Sequence, residues 1–151
     1  MIRSFAACRR GAAAVEAGLV MPLLITLGLA AADAGYLFSE THRMKAGLAT
    51  AARYLAKAPD PQAVEGAAAN IAVTGRRTGQ GQSRVAGWTP AQVQVSYRMV
   101  SNTTGAFTGA DQLRIIRLQS TRPYRGFGLL ALVGLSSIQV SAAHEERWTG
   151  S

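Results

Sequence analysis

The chain has 151 residues, a formal net charge of +8, 16% charged and 7% aromatic residues. That leaves room for one modest domain beside an N-terminal segment, and the low charge content suits a chain with a membrane helix. One cysteine, Cys8, excludes within a single chain a disulfide framework, a C-x-x-C redox pair and a cysteine zinc site.

Arg3, Arg9 and Arg10 precede the first apolar run with no acid among them. The run itself contains Glu16 and reaches Asp33, with 16 uncharged residues between the two acids. Sixteen residues fall short of the roughly 20 that span a bilayer. Counting Ala12–Val15 and Ala34–Phe38 as well gives 27 positions, enough if the two acids sit near the interfaces. The basic leader predicts a cytoplasmic N-terminus, so whatever follows Phe38 is outside the cytoplasm. An acid near a bilayer centre costs roughly 2.5 kcal/mol or more, so Glu16 needs a reason. A secretory signal peptide, with cleavage after Leu29-Ala30-Ala31-Ala32, would have it interrupt the apolar core, and a plain signal anchor leaves it unexplained.

Within the run, Pro22 removes a backbone hydrogen bond and allows a bend or local unwinding; proline and glycine are also simply commoner in membrane helices. Gly28, Ala31, Ala32 and Gly35 recur at three- and four-residue spacing, which makes one small-residue face suited to close helix packing in lipid.

One pattern uses every feature of the segment: Arg9-Arg10-Gly11-Ala12-Ala13-Ala14-Val15-Glu16, then Leu19-Val20-Met21-Pro22-Leu23-Leu24, then Asp33-Ala34-Gly35. It resembles type IV prepilins and, more closely, the TadE/TadG-type minor pseudopilins of tight-adherence (type IVc) pilus systems. The resemblance covers about the first quarter of the chain. It implies cleavage between Gly11 and Ala12 by a prepilin peptidase, with Glu16 meeting the freed N-terminus of a neighbouring subunit. Ala17 departs from the Tyr or Phe that major pilins often carry after the glutamate, which fits the looser minor-subunit pattern. The implied partners are the peptidase, other pilin or pseudopilin subunits, the inner-membrane assembly platform and the lipid bilayer. The implied place is the bacterial inner membrane, single-pass, with a periplasmic C-terminal domain and possible incorporation into a surface pilus.

Beyond the span, Leu37, Met44, Leu48, Ala51, Ala52 and Leu55 recur at helical spacing with no breaker before Ala58. The helix is therefore expected to continue, its stripe docking a small domain. Glu40, Arg43, Lys45, Arg53 and Lys57 are assigned to the other surface. Ala58-Pro59-Asp60-Pro61 ends it, with Asp60 as cap and Pro61 as first residue of a second helix from about Gln62 to Val73. Residues 75–90 read as an exposed basic loop. Its Arg76, Arg77 and Arg84 are read as solvated, or drawn to anionic lipid, rather than as a nucleic-acid surface. Val93, Val95, Tyr97 and Met99 alternate as a strand; SNTTGAFTGAD is a turn-rich connection. Leu113–Thr121 and Ser137–Trp148 are further strands, the last ending in His144-Glu145-Glu146-Arg147 as TadE-type domains resemble. Gly126–Leu135 is apolar but too short to span, and is placed as a loop and short helix over the sheet edge, with peripheral membrane contact as an option.

The fold expected is α+β. A transmembrane helix over 12–38 follows a leader over 1–11, continues over 39–58, and carries a roughly three-stranded domain over 59–151. Resemblance to pilins implies that this sheet is antiparallel. His42 and His144 are the only histidines, and no paired metal spacing, nucleophile motif or complete phosphate loop is present. Neither an enzyme nor a cofactor or metal is expected. The rival readings are a type II secretion pseudopilin and a signal-anchored periplasmic binding module.

Overall fold

A computed structural model of the chain describes residues 9–103, 107, 111–126, 130, 134–135 and 137–150, with the side chains of Arg9 and Arg10 excepted. Its elements are α1 (Arg9–Lys57), α2 (Glu65–Thr74), β1 (Val93–Ser101), β2 (Gln112–Pro123) and β3 (Gln139–Arg147), with 3-10 turns at Gln62–Val64 and Pro90–Gln92. The chain separates into two units: Met1–Tyr36 with Arg125–Ser136, and Leu37–Tyr124 with Ser137–Ser151.

In the first unit α1 is rich in alanine and leucine, both strong helix formers. Pro22 lies inside the helix without ending it. The Thr26 hydroxyl donates to the Pro22 carbonyl at 2.8 Å, the usual back-bond of a helical threonine to the residue one turn before it. In the second unit α1 is amphipathic. Met44, Leu48, Ala51 and Leu55 are fully buried, as their spacing predicts. Gly47 lies on the same surface, where an added Cβ would stand 2.3 Å from the Ala72 carbonyl oxygen of α2. Only a residue with no side chain permits that approach of two backbones.

The Pro59-Asp60-Pro61 stop behaves as expected: Asp60 Oδ1 accepts the Gln62 amide at 3.0 Å. A 3-10 turn then leads into α2. Gly75 ends α2 in the left-handed region, φ 78°, its amide returning to the Ile71 carbonyl, the usual device for stopping a helix. Past this point the sequence reading needs correction. Residues 75–90 are not wholly an exposed loop, because Val85 and Trp88 are buried in the core and the Trp88 indole donates to the buried Ser120 hydroxyl at 2.9 Å.

The sheet has the order β1-β2-β3 and is antiparallel throughout. Ile116, Leu118, Ser120 and Arg122 of β2 are buried at alternate positions, as are Val140 and Ala142 of β3. Of these, Ile116, Leu118, Val140 and Ala142 join the α1 stripe, Ile71, Ala72 and Trp88 in one core. Met99 departs from the predicted alternation and is 56% exposed. The opposite face of the sheet is polar. Gln94 accepts from Gln119, Thr121 pairs with Ser141, and Glu145 bridges Arg117 and Arg98.

Glu40 is a second correction. It stands one turn before Met44, so it falls on the docking stripe, and it is buried with Arg122 at 3.3 Å, both side chains almost without exposure. Two buried charges are tolerable because each is the other's partner. The end of the chain closes the unit. The Trp148 indole donates to the Ala58 carbonyl at 2.9 Å, and both the amide and hydroxyl of Thr149 donate to the Ala56 carbonyl. The last carbonyls of a helix have no partner within it, and the two residues after β3 supply donors there.

Most of the Gly126–Leu135 expectation falls on residues outside those described; Gly126, Leu130, Gly134 and Leu135 are the exceptions. Leu130 groups with the N-terminal part of α1, and its amide donates to Asp33 Oδ2 at 3.1 Å. The central part of SNTTGAFTGAD, except Phe107, lies outside the described residues.

Candidate functional site

The residues singled out for cleavage and assembly all lie on the N-terminal part of α1, or before it. Arg3 lies outside the described residues, as do the side chains of Arg9 and Arg10. Gly11 and Ala12 are both helical and exposed. Glu16 is exposed too and forms no hydrogen bond or ion pair among the described residues. Positions 12 and 16 are four residues apart, so they stack on one face about 6 Å apart along the axis. A peptide cut after Gly11 would therefore put the new α-amine and the Glu16 carboxylate on the same side of the helix.

Around this pair the surface is apolar. Leu19 is 75% exposed and Val15 64%; Val20, Met21, Leu23, Leu24, Ile25 and Leu27 are also exposed. The apolar window of α1 is long enough to cross a membrane, and none of it is buried within the chain. So long a run of exposed apolar side chains must meet lipid or other protein. Pro22 lies in its middle. Gly28, Ala31, Ala32 and Gly35 are exposed, and an added Cβ at Gly28 or Gly35 would touch nothing within 4 Å. Their face is turned about 140° round the helix from Asp33. The side of α1 that bonds Leu130 and the side lined by small residues are thus different.

The domain offers little catalytic chemistry. Among the described residues no group of three His, Cys, Asp or Glu side chains is placed to hold a metal. His42 packs edge-on against Phe38, and His144 lies 3.3 Å from Glu146. Cavities of about 280 and 340 Å³ are lined by Met99, Leu113, Arg114 and Trp148, and by Tyr54, Lys57, Val64 and Arg77. Neither wall includes a serine, cysteine or histidine. Arg114 stacks on Trp148 and Arg77 on Tyr54, so both cations serve packing. Tyr97 donates to Glu65 at 2.6 Å; burial first, then that bond, push its phenol well above the ordinary range.

Sequence reasoning missed Asp33 as a bonded residue and treated it as a boundary of the span and as part of the family pattern. Its signal was available, an acid seven residues before Glu40 on the same helical face, but the partner amide lies 97 positions away. No curated protein and no solved structure matches the chain. The family model for TadE-like proteins matches residues 11–53, a stretch that opens at Gly11 and takes in Glu16, Pro22, the small-residue face and part of the buried stripe; over these residues the chain is similar to TadE-like proteins.

Proposed function

We propose that the chain is a minor pseudopilin, made with a leader ending at Gly11, cut by a prepilin peptidase, and used structurally in assembling or initiating a tight-adherence pilus. Its TadE-like segment associates it with that pilus system and with other pilus components in general. One long apolar N-terminal helix makes it a candidate single-pass membrane anchor. The observation that carries the finer reading is the pairing of positions 12 and 16 on one face of an otherwise apolar, exposed helix.

The mechanism is recognition between subunits. A free α-amine has a pKa near 8 and is cationic at neutral pH; in lipid an unpaired charge is costly. A carboxylate one turn away, on its own or a neighbouring chain, compensates that charge and fixes the axial register between helices. The small-residue face then permits close approach, and Pro22 a local bend. On this reading the chain's role is structural, and the peptidase supplies the cleavage chemistry. Orientation follows the leader charges: N-terminus cytoplasmic, sheet domain in the periplasm.

The test is the N-terminal mass of the membrane-bound protein, with and without the peptidase. A terminus at Ala12 that depends on the peptidase is expected. An intact start would leave a signal anchor, and a terminus beyond Ala31 would mean a secreted protein. Glu16→Ala should then abolish incorporation into the assembly while leaving membrane insertion intact.

A further inference from the structure

The turn after α2 is more firmly built than its glycines and arginines suggest. Thr74 Oγ1 accepts the Arg76 amide at 3.2 Å, and the Asn70 side-chain amide donates to the Arg77 carbonyl at 3.0 Å. The Gly79 amide returns to the Arg76 carbonyl at 3.2 Å. Gly79 itself has φ 72°, and an added Cβ there would stand 2.8 Å from Asn70 Oδ1. The two arginines are therefore presented from a backbone that α2 holds in place.

The Arg77 guanidinium lies over the Tyr54 ring of α1, 5.5 Å from its centre. Stacking sets the plane of a guanidinium and leaves its N–H edge available. Neither that group nor the exposed Lys57 ammonium has a hydrogen-bond acceptor or an ion pair among the described residues. The two share the cavity of about 340 Å³ whose remaining wall is Tyr54, Ala58, Pro59 and Val64, with no acid in it. Arg53, one turn before Lys57, and Arg76 are exposed cations as well. The acids nearest in sequence are engaged: Asp60 accepts the Gln62 amide and Glu65 the Tyr97 phenol.

An occupant must therefore bring negative charge and an apolar body together. The wall is too apolar, and its cations too few, for a phosphate backbone, which calls for a stripe of Lys and Arg. Head groups are out of reach where α1 spans the bilayer as far as Phe38. Lys57 stands 19 residues beyond Phe38, about 28 Å along the axis, which is well past a Debye length of about 8 Å. We infer that this cavity is a docking site for an acidic, apolar segment of a partner protein. A carboxylate of that segment is held by Arg77 and Lys57, as charge-assisted bonds favour, while its apolar neighbour packs on Tyr54, Pro59 and Val64. Only the exclusion of lipid rests on reading α1 as a span. Docking is independent of cleavage after Gly11, so either can fail alone.

The experiment uses the full chain in phosphatidylcholine nanodiscs and fluorescence anisotropy of a labelled, C-terminally amidated peptide, Gly-Asp-Leu-Glu-Phe-Gly. Saturable binding is expected, with none for the control Gly-Asn-Leu-Gln-Phe-Gly. Arg77→Gln and Lys57→Gln should each weaken it about tenfold with thermal unfolding unchanged. Arg43→Gln, which removes an exposed charge elsewhere on α1, should leave it as it is. Equal weakening by Arg43→Gln would make the effect one of overall charge and overturn the inference. So would no binding, or equal binding of the control peptide. Inorganic polyphosphate that binds more tightly than the peptide, and is lost in the same two variants, would make this a phosphate site instead. Weaker peptide binding in discs containing phosphatidylglycerol would show that head groups reach the cavity, which also overturns it.

Discussion

The two parts of α1 are built from similar residues and meet different surroundings. Between Met44 and Leu55 the apolar stripe is buried to the last side chain by α2, the sheet and Trp88; between Val15 and Leu27 apolar side chains of the same kinds are exposed. Burial of large apolar side chains contributes about 1.5–3 kcal/mol each, and only the second part collects that within its own chain. The charged residues divide likewise. Glu40 has Arg122, while Glu16 has no partner among the described residues. A helix whose outer part is complete and whose inner part is not is one whose inner part is completed by something else, lipid and neighbouring helices on the reading proposed here.

That contrast can be broken most severely at the core. Trp88→Ala removes a fully buried ring and strands the Ser120 hydroxyl; it should cost about 3–5 kcal/mol in denaturant unfolding of the detergent-solubilised protein. Arg122→Ala leaves Glu40 buried without a partner and should cost a comparable amount, about 3–5 kcal/mol. The double change Glu40→Leu with Arg122→Met should recover most of that loss, because packed apolar residues often replace a buried ion pair without penalty. Gly47→Ala should cost about 1–3 kcal/mol through overpacking, despite alanine being the better helix former. The same substitution at Gly28 should leave domain stability unchanged.

Tyr97 sharpens the comparison through pH. Its phenol is raised in the folded state, so above the unfolded value near 10 the unfolded chain loses its proton first. Stability should therefore be intact below pH 10 and fall as pH rises beyond it, and Tyr97→Phe should flatten that fall in an alkaline unfolding series. The smallest effect belongs to the inner part of the helix. Leu24→Ala should change domain stability by less than about 0.5 kcal/mol, and a larger effect would show that this side chain packs within the fold.

What the sequence revealed follows from range. The α1 stripe, the Pro59-Asp60-Pro61 stop, the Gly75 cap and the three strands are local patterns read within a turn or two of chain, and they stand. The misplacements involve partners far along the chain. Glu40 was put on the solvent side because it is charged, and its guanidinium lies 82 positions away. Trp88 was hidden by the glycines and arginines around it, although a tryptophan in a polar stretch is itself a sign of burial. The clasp of Trp148 and Thr149 on the end of α1 had no periodic signature. The Gly11–Glu16 relation came from a resemblance, and what the structure adds is that both residues lie on α1; its use is a matter of the proposed partners.

The clasp at the end of α1 also sets an order of events. Ala56 is joined to Thr149 across 93 positions, and β2 receives its second neighbour only when β3 is in place. A ribosome delivers these parts in sequence, so the extended helix emerges early and waits. A chain stalled before β3 offers an open β-edge and bare carbonyls at the end of α1, both ready templates for the wrong partner. A chain in that interval needs protection, and β3 with Trp148 and Thr149 ends the need.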